Sequence, residues 1–203
     1  MTSRGHSEVG IERIADFALE VEGCKITPTH SVKLLGVTLD RYLTFGEHID
    51  NVVKKCHGLI GVLAKAAPYL SRELLRLAYI SLIRSQLEYC SAVFGSAAPS
   101  QLRKLDTVQK ISARIICGVP RDAHSAPFLE SLNLESLESR RTKHAVNIVE
   151  SIIDGDCHPA LKDIFTVRAD GLLISSRQPR IGIGKRRFAV YAKELYDNEL
   201  STS

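Results

Sequence analysis

Ala15, Phe17, Leu19 and Val21 alternate with Asp16, Ala18, Glu20 and Glu22. A period of two with one polar face predicts a half-buried strand. Glu22-Gly23 is a turn signal, so a hairpin is expected there. Residues 32–39 read as a second, more apolar strand, and Pro28 between the two interrupts pairing or marks an edge. The period then changes. Thr44 followed three residues on by Glu47 predicts a capping box at a helix start. Ile49, Val52, Val53, Cys56, Ile60, Leu63 and Ala67 follow at helical spacing, and Pro68 stops the run. Gly58 and Gly61 weaken this helix by up to about 1 kcal/mol each against alanine. Close packing against a neighbouring helix would account for them.

Ser71 is placed to cap the next helix, with Glu73 in its first turn. Leu74, Leu75, Leu77, Ala78, Ile80, Leu82, Ile83 and Leu87 wrap most of its circumference, which predicts a buried central helix ending near Gly95. A further helix opens at Pro99-Ser100. Its stripe is Leu102, Leu105, Val108, Ile111, Ile115 and Ile116, and Gly118 and Pro120 end it. A short helix is expected from Ser125-Ala126-Pro127 through Leu132, and a longer one from about Glu135 to Ile153. Residues 155–159 are a break. From Thr166 on, Ser, Arg, Gly and Pro predict a loop. Phe188, Val190, Tyr191, Leu195, Tyr196 and Leu200 suit a short terminal helix docked on the rest. The expected fold class is α+β, mainly α. A short β-hairpin precedes a three-helix bundle, then further helices and a basic, loop-rich tail.

Composition refines this picture in three places. The 203 residues are 44% hydrophobic but only 6% aromatic, without Trp, so the core must be aliphatic. The five cysteines are odd in number, widely spaced and free of Cys-x-x-Cys, which predicts reduced, mostly buried thiols in an intracellular protein. No run is long enough to span a membrane, and the N-terminus has no signal-peptide pattern. The net charge is only +4, but it is unevenly spread. Arg168, Arg177, Arg180, Lys185, Arg186, Arg187 and Lys193 face the single acid Asp170 within their span, so attraction for polyanions should concentrate at the C-terminal end.

Several short stretches then combine. Residues 35–40 read Leu-Gly-Val-Thr-Leu-Asp, and residues 43–49 read Leu-Thr-Phe-Gly-Glu-His-Ile. Residues 83–89 read Ile-Arg-Ser-Gln-Leu-Glu-Tyr, and residues 104–109 read Lys-Leu-Asp-Thr-Val-Gln. Arg186-Arg187-Phe188 is followed by residues 195–200, Leu-Tyr-Asp-Asn-Glu-Leu. Each is weak alone. In this order and spacing, over about residues 14–200, they resemble the end of the palm, the thumb and the post-thumb region of a LINE-type, jockey-like non-LTR retrotransposon reverse transcriptase. Phe45, Phe94 and Tyr196 stand where such sequences usually carry Trp, and Ser85 replaces an expected proline.

Residues 1–13 show no pattern and are expected to form a disordered N-terminus. The resemblance implies a division of the rest into a palm-remnant hairpin (14–43), a thumb-like bundle (44–120), a post-thumb helical segment (121–165) and a basic tail with a terminal helix (166–203). It also implies RNA-directed DNA polymerase ancestry. No Tyr-Ala-Asp-Asp segment occurs in the chain. Nucleotide addition needs carboxylates that hold two metal ions, so a catalytically incomplete fragment is expected, with no catalytic residue, metal ligand or cofactor assigned.

What remains is holding. Lys54, Lys55, Arg103, Lys104, Lys110 and Arg114 lie off the apolar stripes, as phosphate-pairing cations of a thumb or as an ordinary solvated face. Arg177, Arg180, Lys185, Arg186 and Arg187 form the denser basic segment, with Phe188 either a stacking platform or a core anchor. Expected partners are an RNA or DNA duplex or single strand, gripped by the backbone, or a palm-bearing polypeptide. The rival reading is a structural, protein-interaction helical module. Gly182-x-Gly184-Lys185 lacks the spacing of a phosphate loop. Asp154, Asp156, Cys157 and His158 lack a second ligand pair at zinc spacing. His48 and His144 are assigned no catalytic role.

Overall fold

Two residue pairs of the form X-Gly shape the N-terminal strands. Glu22 and Gly23 both have positive φ (50° and 78°), as do Leu35 and Gly36 (45° and 86°). Positive φ at both central positions defines the tight turn whose twist matches a two-residue hairpin. In the computed structural model, which describes residues 18–169, 172–175 and 182–200, each pair closes such a hairpin. β1 (Leu19–Val21) pairs with β2 (Cys24–Ile26), and Val21 faces Cys24 across the first turn. β3 (Ser31–Leu34) pairs with β4 (Val37–Asp40), and Leu34 faces Val37 across the second.

The single strand expected over residues 32–39 is therefore a hairpin of its own. The expectation of a half-buried first strand also needs correction, because β1 and β2 are exposed on both faces. The residues before 18 lie outside the described residues. Gly36 has a tight neighbour: a Cβ there would lie 3.3 Å from Tyr89 Cε1. Left-handed backbone and this contact together should make Gly36→Ala lose about 1 kcal/mol. The urea midpoint reads it, and an unchanged midpoint would show that the hairpin tip is not held.

The start of α1 (Gly46–Ala66) is not the capping box expected from Thr44 and Glu47. Phe45 sits left-handed at the N-cap position, φ 56°, with no side-chain cap. The Asp40 carboxylate takes over, accepting from Tyr42 N (3.0 Å), Thr44 N (3.0 Å), Thr44 Oγ1 (3.0 Å) and Phe45 N (2.6 Å). A Cβ on Gly58 or Gly61 would meet nothing within 4 Å, so close helix packing does not explain them.

α2 covers residues 72–88: Arg72–Ala78, a π-helical turn at Tyr79–Arg84, and Ser85–Glu88. Ser71 caps it as expected, accepting from Leu74 N. A π turn misplaces carbonyls. Ser81 Oγ donates to Leu77 O (2.9 Å) and Ser85 Oγ to Ser81 O (2.6 Å), which fills part of that gap. The helix ends at Glu88, not near Gly95, because Cys90 turns left-handed and α3 (Ser91–Phe94) starts again in a new direction. Nor is it buried all round. Leu75, Tyr79, Ile83 and Leu87 face the core, while Leu74, Leu77 and Leu82 stay more than half exposed.

α4 (Pro99–Cys117) opens on its proline and closes on Gly118, φ 64°. Val119 N donates to Arg114 O and Gly118 N to Ile115 O, both at 3.1 Å, the paired bonds of a Schellman ending. α5 (Ala126–Ser131) follows, and then α6 (Leu137–Ile153), capped by Ser136, which accepts from Ser139 N at 3.1 Å. β5 (Phe165–Val167) and β6 (Leu173–Ser175) form a third hairpin where a loop was expected. α7 (Gly182–Lys185) and α8 (Phe188–Leu200) are the last elements among the described residues.

Two cores result. α1, α2 and α4 share the first, through Phe45, Ile49, Cys56, Leu75, Tyr79, Leu87, Leu105 and Val108. The second joins Val149 and Ile152 of α6, Phe165, Leu173 and Ala192 of α8. α3 lies between them: Phe94 belongs to the first core, and Gly95 leaves room for Tyr191 of α8. Arg140 of α6 forks onto Glu88 at the end of α2, one bond at 2.9 Å. None of the five cysteines is in a disulfide, and Cys56 alone is fully buried, which pushes its thiol up to about 11. Among the described residues, no helix is long and apolar enough to cross a membrane.

Candidate nucleic-acid interface

The turn at Leu35-Gly36 folds β3 and β4 over the N-terminal half of α1 and the end of α2. A cleft of about 1030 Å³ opens between them, lined by Lys33, Thr38, Asn51, Lys55, Gln86 and Tyr89, with Glu47 its single carboxylate and His48 in its wall. The hairpin is tied down at two points. Tyr89 Oη donates to Leu35 O (2.9 Å), and Thr38 N donates to His48 Nδ1 (3.4 Å). The second bond leaves the His48 proton on Nε2, an atom that is buried without a partner. Burial first, and then Lys33, holds the His48 pKa below its usual value, so the ring stays neutral.

The cations foreseen from sequence fall into several separate places. Lys55 joins the cleft, where its Nζ donates to Gln86 Oε1 at 2.6 Å. Lys54, Arg103 and Lys110 are exposed on α1 and α4. Lys104, between these two helices, pairs with Asp50 at 2.5 Å. Arg114 donates from Nε to Ala123 O (2.7 Å), pinning the turn after α4. Arg186 ties distant parts of the chain together: its Nη1 donates to Tyr42 O (2.8 Å), and its own carbonyl accepts from Ser96 Oγ (2.7 Å). Arg187 is exposed, and Phe188 packs against the second core. Arg177, Arg180 and the Lys185 side chain lie outside the described residues.

Sequence reasoning missed Lys33, Asn51 and Gln86, which only the hairpin brings together. Reading Leu35-Gly36 as a turn would have found them. Other polar residues serve joints. His144 Nδ1 lies 3.2 Å from Ser91 Oγ, linking α6 to α3, and His158 Nδ1 accepts from Ala160 N at 3.2 Å. Chemically, the cleft and the outer face of α4 offer ammonium, guanidinium, amide and hydroxyl groups at several points, a set suited to phosphate oxygens.

No family model matches the chain, and no solved structure matches it. Three curated proteins do. The RNA-directed DNA polymerase from mobile element jockey of Drosophila funebris is 32% identical over 189 residues, 89% of this chain and 19% of the relative. The "Probable RNA-directed DNA polymerase from transposon BS" of Drosophila melanogaster is 26% identical over 129 residues, 62% of this chain and 14% of the relative. The corresponding protein of the X-element of the same fly is 25% identical over 132 residues. The chain thus spans between 14% and 19% of the length of these relatives. Its homologues are RNA-directed DNA polymerases of Drosophila non-LTR retrotransposons, and what it matches in them is a jockey-like reverse-transcriptase region.

Proposed function

We propose that this chain is a nucleic-acid-holding part of a jockey-like RNA-directed DNA polymerase, gripping the sugar–phosphate backbone without sequence preference and making no bonds itself. The carrying observation is the cleft, with Lys33 and Lys55 over a wall of amides and hydroxyls against one carboxylate. Arg103 and Lys110, exposed on α4, offer further phosphate-pairing charge. In this reading residues 44–120 act as the thumb and residues 14–43 as the last part of the palm.

A fluorescence-anisotropy series with a labelled RNA–DNA hybrid across potassium chloride concentrations tests it. Binding should weaken linearly on a log–log plot, with a slope of about −0.9 per phosphate neutralised. Arg103→Glu with Lys110→Glu should lower affinity about tenfold at low salt and flatten that slope. A salt-insensitive or undetectable signal would remove the proposal. Primer extension on an RNA template by the same purified chain should give no product.

The rival, a protein-interaction helical module, is favoured by one observation. Leu19, Val21, Ile26, Val32, Leu34 and Leu35 are all more than half exposed on the two N-terminal hairpins, and such surfaces usually meet another protein. Self-association at low micromolar concentration without nucleic acid, seen by sedimentation, would favour that reading.

A further inference from the structure

A groove of about 330 Å³ lies between the C-terminal half of α1 and α4. The cleft described above uses the N-terminal half of α1, so the two sites are separate. Ile60 and Ala64 of α1, Ile111 and Ile115 of α4, and Val119 form the floor. Arg114 and Arg121 complete the lining, which contains no carboxylate. The acid next in sequence, Asp122, is exposed and outside the groove.

The groove is built before anything enters it. The Schellman ending at Gly118 sends Val119 across its end. Ala123 N donates to Pro120 O (3.2 Å), closing a turn that carries Arg121, and Arg114 Nε holds the same turn through Ala123 O. Arg114 thus spends one edge of its guanidinium on structure, and its charge remains beside the aliphatic floor. A preformed site loses less free energy to ordering when a ligand binds.

Five aliphatic side chains around a well of this size require apolar groups from the occupant. Two cations without a nearby acid require negative charge. A nucleic-acid backbone brings the charge, but its sugars and phosphates fill an aliphatic well poorly. An acidic peptide brings both. We propose that this groove binds a short acidic segment of a partner protein, whose aliphatic or aromatic side chains enter between Ile60, Ile111 and Ile115 and whose carboxylates pair with Arg114 and Arg121. Such binding follows the familiar mode of a peptide with apolar anchors in a groove, with charge-assisted hydrogen bonds at its edge.

The test is a display library of random 12-residue peptides, selected on the full chain at low salt and counter-screened on two variants. Ala64→Trp fills the groove from an exposed position and should leave thermal unfolding unchanged. Arg121→Glu reverses a charge on an exposed turn. The expected result is enrichment of net-negative peptides carrying two or more large apolar residues. Their affinity should fall at least about tenfold on Ala64→Trp and about fivefold on Arg121→Glu. Three results overturn the proposal: no enrichment, enriched peptides without acidic bias, or peptides that bind Ala64→Trp as well as the parent. A labelled RNA–DNA hybrid run beside them separates the polyanion alternative. If Ala64→Trp weakens hybrid binding while no peptide is enriched, the groove takes nucleic acid and the peptide proposal is wrong.

Discussion

Replacing Phe94 by alanine lowers the unfolding free energy by about 4 kcal/mol, the ordinary cost of emptying a buried phenylalanine site that cannot collapse. Phe94 is 1% exposed. Its ring leans on His48, with centroids 5.2 Å apart and planes at 54°. It also sits on α3, the four-residue helix that touches both α6 and α8. The cavity would therefore open where the two cores meet, with neither side free to close it. For a chain of this size about 3 °C of melting temperature is lost per kcal/mol, so the midpoint should fall by about 12 °C. Phe94→Leu keeps most of the volume and should cost about 1 kcal/mol. Urea and thermal unfolding followed by circular dichroism read both variants. A loss below about 1 kcal/mol for Phe94→Ala would show that α3 does not join the cores.

The parts of the fold visible in sequence are those whose signals are local and uncontested. α4 has proline at its first position, a stripe at helical spacing and glycine at its end, and the structure uses all three. Ser71 before α2 acts in the same way. Residues 32–39 defeat the reading for a physical reason. Leu35 adopts a left-handed backbone, which aliphatic residues rarely do, so the turn carries only half its usual signature. The apolar character of Val32, Leu34 and Leu35 does not mean burial either, because all three are exposed. Thr44 and Glu47 had the right spacing for a cap, but the Asp40 carboxylate on β4 takes Thr44 N, the amide that Glu47 would have accepted, and Phe45 N beside it. α2 is apolar all round, yet only one face meets the core, while Leu74 and Leu77 on the opposite face stay more than half exposed.

The site was legible by face but not by partner. Spacing placed Arg103 and Lys110 on the outer side of α4. It could not show that Lys104 pairs with Asp50, 54 residues away, or that Arg186 reaches Tyr42, 144 residues away. The motifs that carry the resemblance to reverse transcriptases acquire a physical meaning here. In residues 83–89, Leu87 is core, Glu88 receives the Arg140 fork, and Tyr89 pins Leu35. In residues 104–109, Leu105 and Val108 are fully buried, and Gln109 Nε2 donates to Glu135 O at 3.0 Å. The recognisable residues mark the joints of the fold. A sequence can therefore announce its relatives clearly while leaving its charged surface to be found from coordinates.

Asp40 is the most heavily used of these joints, and its removal should be felt in a pH-dependent way. Burial raises its carboxyl pKa. The bonds from Thr44 N, Phe45 N, Thr44 Oγ1 and Tyr42 N outweigh that and hold it below 3.8. A carboxyl depressed in the folded state contributes fully above its unfolded pKa, and the contribution disappears as pH falls through the folded value. Asp40→Ala should therefore cost about 2 kcal/mol at neutral pH, the range expected for losing a charged acceptor of several bonds at a helix entry. The difference from the parent should narrow below about pH 3.8. His48 acts at higher pH. Its folded pKa lies below 6.5, so on acidification the unfolded chain takes up a proton that the folded chain refuses, and stability drops from about pH 6.5 downward in parent and variant alike. Urea midpoints at pH 7, 5 and 3 separate the two groups. A shared loss between pH 7 and 5 has the sign His48 predicts, and a convergence of the two curves toward pH 3 belongs to Asp40. If Asp40→Ala lost as much at pH 3 as at pH 7, the carboxylate charge would not be what holds β4 to the start of α1. Asp40→Asn, which keeps an oxygen acceptor without the charge, should then match the parent, instead of falling about halfway.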